Sequence, residues 1–234
     1  MSRMLASVTN VEEAVIALDG GADIIDLKNP SEGALGALPL DVIRDIVRVV
    51  EHRKPVSATI GDLPMQPELM AKAVRETAAA GVDIVKIGFF GHEGHMECIR
   101  VMQPLTRQGI RIVAVLFADN QPDFGLIPDL GHAGIHGVML DTAIKNGKRL
   151  RDHLNDAQLQ SFVQHGHAQN LLVGLAGSLS VSDVETLMQF DADYLGFRGA
   201  LCHESERKAA LDPQRLSCLR NVLYSCNSIS KELA

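Results

Sequence analysis

The sequence predicts an α/β fold, a single-domain (β/α)8 TIM barrel over residues 1–234, on three observations. Short apolar, β-branched runs recur eight times, most closing on Gly, Asp, Ser or Lys, and each is followed by a stretch of helical period. Eight such units in 234 residues come to about 29 residues each, toward the small end for this barrel. No linker or low-complexity tract divides them, and 20 glycines with 4% aromatic residues suit buried parallel strands joined by tight turns. A doubly wound open sheet is the alternative. It needs edge strands, and none of the eight runs has the polarity or brevity of an edge.

Each unit has its own signals. Strand 4–8 leads to a helix over 11–20 that Thr9 or Asn10 caps and Gly20-Gly21 ends. Strand 22–28 is parted by the long loop 29–39 from a helix over 40–52. Strand 55–61 precedes helix 66–80 with Gly81 at its end; strand 82–88 precedes helix 92–107 with Gly109; strand 111–119 precedes helix 122–133 with Gly134. Strand 137–142 is followed by a second long loop, 143–155, and by helix 157–167. Strand 171–178 precedes helix 181–190, for which Ser182 and Glu185 form a capping box. Strand 193–199 precedes helix 213–224, and 226–234 is read as a loosely held tail. Loops 29–39 and 143–155 are candidate lids.

Charge and composition narrow the function. A net charge of −7 argues against broad binding to nucleic acid or an anionic membrane, so any anion recognition is local. No apolar run approaches the roughly 18 residues of a membrane span, and the stretch before the first helix is too short for a signal peptide. The expected compartment is the cytoplasm. Cys98, Cys202, Cys218 and Cys226 lack metal or redox spacing. His92, His95, His165 and His167 lie at helix ends without an acidic third ligand at a recognisable spacing and read as surface caps, and Cys202-His203 as plain loop. No cofactor or metal motif is present. A homo-oligomer is left open.

In a barrel the chemistry comes from the carboxyl ends of the strands. Lys28 and Lys86 end apolar strands there, although the chain has only eight lysines. An unpaired ammonium inside such a mouth loses several kcal/mol of hydration, so these residues are paired, neutralised or functional. Two-residue spacing puts Asp26 on the face of Lys28, while Asp141 ends the sixth strand with Lys145 shortly beyond. Crowded ammonium groups and partial desolvation favour the neutral amine that a Schiff base requires, and carboxylates can relay protons. Simple charge compensation, with Lys145 on a solvated loop, is the plainer reading. Gly177, Ser178, Arg198, Gly199 and Ala200 end the last two strands, where small residues and free amides suit a phosphate.

The strings Gly21 to Pro30, Glu32 to Gly36, Val56 to Asp62, Val85 to Gly88, Leu140 to Lys145, Leu175 to Ser178 and Gly196 to Cys202 together resemble the (5-formylfuran-3-yl)methyl phosphate synthase family over almost the whole chain. The resemblance implies a lyase that condenses two molecules of glyceraldehyde 3-phosphate into a furan phosphate, early in methanofuran biosynthesis, in a host with one-carbon metabolism. It implies that Lys28 is the Schiff-base lysine and that Asp26, Lys86, Asp141 and Lys145 are the other charged active-site positions. A triose phosphate is then the small-molecule partner. Two other functions use the same rim: a class I aldolase or isomerase of triose phosphates, and a catalytically silent barrel that binds a phosphorylated metabolite. Product assays separate the first from the furan synthase, and covalent trapping separates the second.

Overall fold

Alternation along eight parallel strands decides which side chains look into the barrel and which meet the helices. A computed structural model describes residues 1–232, with the side chains of 1–228. Its strands are β1 (Arg3–Val8), β2 (Ile24–Leu27), β3 (Val56–Thr59), β4 (Ile84–Phe89), β5 (Ile112–Phe117), β6 (Gly137–Asp141), β7 (Leu172–Leu175) and β8 (Tyr194–Phe197). Each pairs in parallel with the next and β8 with β1, closing the barrel. In β2, Ile25 and Leu27 pack outward with the helices, whereas Ile24 joins the inner cluster of Leu5, Ile84, Val113, Val115, Phe117, Met139 and Tyr194. That inner layer fills the lower barrel with apolar atoms, so polar inward positions can occur only above it.

The helices are α1 (Val11–Asp19), α2 (Leu40–Val50), α3 (Pro67–Ala79), α4 (His95–Arg107), α5 (Ile127–His132), α6 (Leu150–His153), α7 (Asp156–Ala168), α8 (Val184–Met188) and α9 (Pro213–Glu232). Asn10 caps α1 by accepting from the Glu13 N–H. Among the described residues no helix is long and apolar enough to cross a membrane.

Several boundaries differ from the sequence reading. The capping box is formed by Ser180 and Asp183, not by Ser182 and Glu185; it opens a 3-10 turn ahead of the short α8, because the Asp183 carboxylate reaches the Ser180 N–H at 2.7 Å. Helix 122–133 divides into a 3-10 turn, Phe124–Leu126, and α5. The final helix does not stop at Tyr224. It continues through 226–232, and Asn227 near the start of this stretch exchanges two hydrogen bonds with the backbone of Ser2; 233–234 lie outside the described residues.

Loop 29–39 is a plug rather than a lid. Leu35 is fully buried in the inner cluster, Asp62 accepts from the Ala34 and Leu35 N–H groups, and Thr59 donates its hydroxyl to the Gly36 carbonyl. An apolar side chain with anchored backbone on either side has no cheap open position. Loop 143–155 holds α6 and is pinned at its start, which leaves 146–149 as a continuous exposed stretch.

Candidate active site

The mouth opens above the apolar layer as a cavity of about 640 Å³, inside the roughly 300–1,000 Å³ usual for small-molecule sites. At its floor, the fully enclosed Asp26 of β2 meets Lys86 of β4 at 3.0 Å. Register explains the meeting, since Asp26 pairs with Ser57 on β3 and Lys86 with the neighbouring Thr59. Ser7 and Ser57 donate hydroxyls to the two carboxylate oxygens at 2.9 and 2.6 Å. Burial alone raises the Asp26 carboxyl, but Lys86, Lys28 and the Ser57 hydroxyl outweigh it and hold it below its ordinary value. Loss of hydration and the same buried charge push the Tyr194 phenol beneath it well above its usual value, so it stays neutral.

Above this pair lies a second group. Lys28 follows β2 and reaches across the mouth to Asp141 at the end of β6, at 3.5 Å. Lys145 turns back to the other Asp141 oxygen at 2.8 Å and to the Thr142 hydroxyl at 2.9 Å. The loop can turn so sharply because the Asp119 carboxylate accepts from the Ala143 and Ile144 N–H groups at 2.8 and 2.7 Å. Burial raises the Asp141 carboxyl; Lys145, Lys28 and hydrogen bonds from Lys145 and the Thr142 N–H more than reverse this and hold it far below the carboxylate range. Burial pulls the Lys145 ammonium down, with Lys28 adding to the effect and Asp141 opposing it.

A pH prediction follows for both carboxylates. Their folded values lie below the unfolded value of about 4, so their stabilisation is complete above that pH and is lost as pH falls toward the folded values. Denaturant titrations are expected to show a steady fall below about pH 4, beyond the separate loss that His136, held below its ordinary value by burial, contributes as pH falls through about 6.5. Asp141→Asn is expected to flatten that acid limb; an unchanged limb in this variant contradicts the assignment.

The ends of β7 and β8 form the third wall. The amides of Gly177, Ser178, Gly199 and Ala200 donate to no acceptor among the described residues, and all four residues line the cavity, a cradle suited to an anion. Gly177 is needed for its backbone: φ is +112°, and a Cβ there would lie 3.0 Å from the Thr142 side chain and 3.3 Å from Leu150. Gly177→Val is therefore expected to disturb the Thr142 and Lys145 positions and to lower kcat as well as raise KM. A change in KM alone, measured by steady-state kinetics, would leave only the cradle affected.

Arg198 corrects the sequence reading. Its guanidinium is buried and bidentate on Glu13 of α1, at 2.5 and 3.1 Å, and donates further to the carbonyls of Ser7, Arg207 and Ala209. All five N–H donors are engaged. A buried guanidinium requires a carboxylate, and Glu13, itself fixed by Thr9 and Leu211, supplies it. Arg198 still borders the cavity, but the cation of this loop that lines it without a carboxylate partner is Arg207, whose Nη2 donates to the Gly33 carbonyl at 2.9 Å.

Asp26, Lys28, Lys86, Asp141 and Lys145 thus meet in one cavity together with the amide cradle. Sequence reasoning missed Ser7, Ser57, Asp119, Thr142 and Arg207. The two serines carried a signal, since each stands at an inward position of an apolar strand near Asp26; Asp119 and Arg207 sit in loops whose path only the fold determines. The Cys202 thiol donates to the Arg198 carbonyl, and burial pushes it up to about 11, which removes it as a nucleophile. Among the described residues no three His, Cys, Asp or Glu side chains gather as a metal site requires. His165 turns back on the Ser161 carbonyl, and His167 meets Asp193 at 3.1 Å.

Solved structures share this architecture at low identity. Phosphoribosyl anthranilate isomerase from Thermus thermophilus aligns with a TM-score of 0.67 at 15% identity, over 95% of this chain and 98% of that one. The corresponding figures for 3-hexulose-6-phosphate synthase from Salmonella typhimurium are 0.65, 17%, 96% and 99%. Such likeness speaks for the barrel alone. Sequence relatives go further: (5-formylfuran-3-yl)methyl phosphate synthase of Methanopyrus kandleri is 41% identical over 216 residues, covering 88% of this chain and 91% of that protein. The synthase of the same name from Methanococcus maripaludis strain C5 is 36% identical over 215 residues, 87% and 91% of the two chains. A family model described as 4-HFC-P synthase matches residues 4–220, from the first strand into the last helix and across every charged position of the mouth, and the chain belongs to that family.

Proposed function

We propose that the protein joins two molecules of glyceraldehyde 3-phosphate into (5-formylfuran-3-yl)methyl phosphate through an imine on Lys28, as a cytoplasmic carbon–oxygen lyase early in methanofuran biosynthesis. The observation that carries the reading is the unequal tying of three amines around two carboxylates. Lys86 is held at 3.0 Å by Asp26 and Lys145 at 2.8 Å by Asp141, whereas Lys28 has only the 3.5 Å contact to Asp141. The loosest amine at the centre of the mouth is the one free to attack a carbonyl.

The chemistry balances. Two triose phosphates hold six carbons and two phosphates; the furan keeps six carbons and one phosphate, so one phosphate and two waters leave. Neutral Lys28 adds to the first carbonyl, and loss of water gives an iminium that acidifies the adjacent C–H. Removal of that proton gives an enamine, whose carbon attacks the second carbonyl; eliminations complete the ring, and water hydrolyses the imine, which returns the water lost on forming it and frees Lys28. Carboxyls held as low as Asp26 and Asp141 are weak bases. They suit fixed counter-charges rather than a proton relay, and the lowered Lys145 amine suits the proton transfers better. Lys86, sunk at the floor, suits stabilisation of a developing oxyanion.

Purified protein given glyceraldehyde 3-phosphate alone is expected to release one phosphate per furan aldehyde formed, followed by phosphate assay and ultraviolet absorbance. Triose cleavage or isomerisation without the chromophore supports an aldolase or isomerase instead. No turnover and no covalent adduct supports a silent binding barrel.

A further inference from the structure

We propose that the loop after β8 is built to carry Arg207 across the mouth as the clamp for a second phosphate, distinct from the amide cradle of Gly177, Ser178, Gly199 and Ala200. The inference rests on the condensation reading, in which two phosphorylated trioses occupy one cavity, and it names the residue that fixes the second.

The loop, 199–212, is held from below. Arg198, bidentate on Glu13, donates Nε to the Arg207 carbonyl at 2.8 Å and Nη2 to the Ala209 carbonyl at 2.9 Å, while Glu13 accepts from the Leu211 N–H at 3.2 Å. One buried ion pair therefore fixes the backbone at three points around Arg207. The loop also holds two consecutive non-glycine residues in left-handed conformation, Glu204 at φ 54° and Ser205 at φ 61°. Such a pair is unfavourable and persists where surrounding contacts impose it.

What these contacts position is a cation without an ion-pair partner. Among the described residues no carboxylate lies within ion-pair distance of Arg207, and its guanidinium has one protein acceptor, the Gly33 carbonyl. Of the other arginines that line the cavity, Arg149 and Arg198 are paired with carboxylates, and Arg215 donates to the Ser205 hydroxyl. The Arg207 Cβ lies beside Gly199, 3.9 Å from where a Cβ there would stand, yet its guanidinium reaches Gly33 in the loop that follows Lys28. It thus spans from the cradle to the loop after Lys28 while lining the cavity, and its other N–H groups have no protein acceptor among the described residues. Those donors match two oxygens of a phosphate.

The test compares wild type with Arg207→Gln and Arg207→Lys, each checked for folding by thermal melting. Calorimetric titration with inorganic phosphate is expected to find two sites in wild type and one in Arg207→Gln, with Arg207→Lys keeping the second site at about 10-fold weaker affinity. With glyceraldehyde 3-phosphate, Arg207→Gln is expected to retain borohydride trapping at Lys28 but to lose furan formation about 100-fold. Two phosphate sites in Arg207→Gln, or furan formation at the wild-type KM, overturns the clamp. If wild type shows neither imine nor furan while the phosphate count still falls from two to one, the condensation reading fails and the clamp stands.

Discussion

Lys28→Arg is expected to fold, to bind phosphate, and to lose about four orders of magnitude in kcat, equivalent to about 5 kcal/mol of transition-state stabilisation. Arginine keeps a positive charge opposite Asp141, so the 3.5 Å pairing that Lys28 makes has a replacement. It cannot lose a proton near neutral pH and so cannot form an imine. Lys145→Arg is expected to lose less, because the proposed role of Lys145 is to move protons beside Asp141 and Thr142 rather than to form the covalent bond. Steady-state kinetics on the two variants gives the ranking. Equal losses would mean that Lys28 acts through its charge alone.

The second large effect concerns stability. Asp26→Asn is expected to cost about 3–5 kcal/mol, because it leaves the Lys86 ammonium, 2% exposed, without its counter-ion. That is a large share of the roughly 5–15 kcal/mol that holds a typical domain together. Removing both charges, as Asp26→Asn with Lys86→Met, is expected to recover most of the loss while activity stays absent, since Lys86 belongs to the mouth. Urea titration of the two single variants and the double variant forms the cycle that isolates the pair. A single-variant loss below about 1 kcal/mol would show that water reaches the floor and that the two serines suffice.

The strands were legible because both their faces are apolar and their spacing is regular, and the inward alternation of Ile24, Asp26 and Lys28 follows from period two alone. The charged centre was legible for the same reason: a lysine or aspartate that closes an apolar run is costly there unless it is paired or put to use. The amide cradle was legible from its glycines, although the structure gives Gly177 a further reason, the crowding of Thr142. What sequence reasoning lost lies where tertiary packing selects among local options. Loop 29–39 looks like a lid until Leu35 is seen inside the barrel, and nothing local says that Asp62 will hold it there. Arg198 and Arg207 are similar as sequence, both cations beside small or polar residues. Only the position of Glu13, 185 residues away, decides that the donors of one are all engaged and that the other lines the mouth without a carboxylate partner.

The central claim is that one lysine of three makes a covalent bond to substrate, and peptide mass spectrometry after borohydride reduction in the presence of glyceraldehyde 3-phosphate tests it most directly. The account predicts added mass on the peptide that contains Lys28 and on no other lysine peptide, and none in Lys28→Arg. Added mass on Lys86 or Lys145 would contradict the assignment of the nucleophile, and full turnover without any adduct would contradict the imine itself.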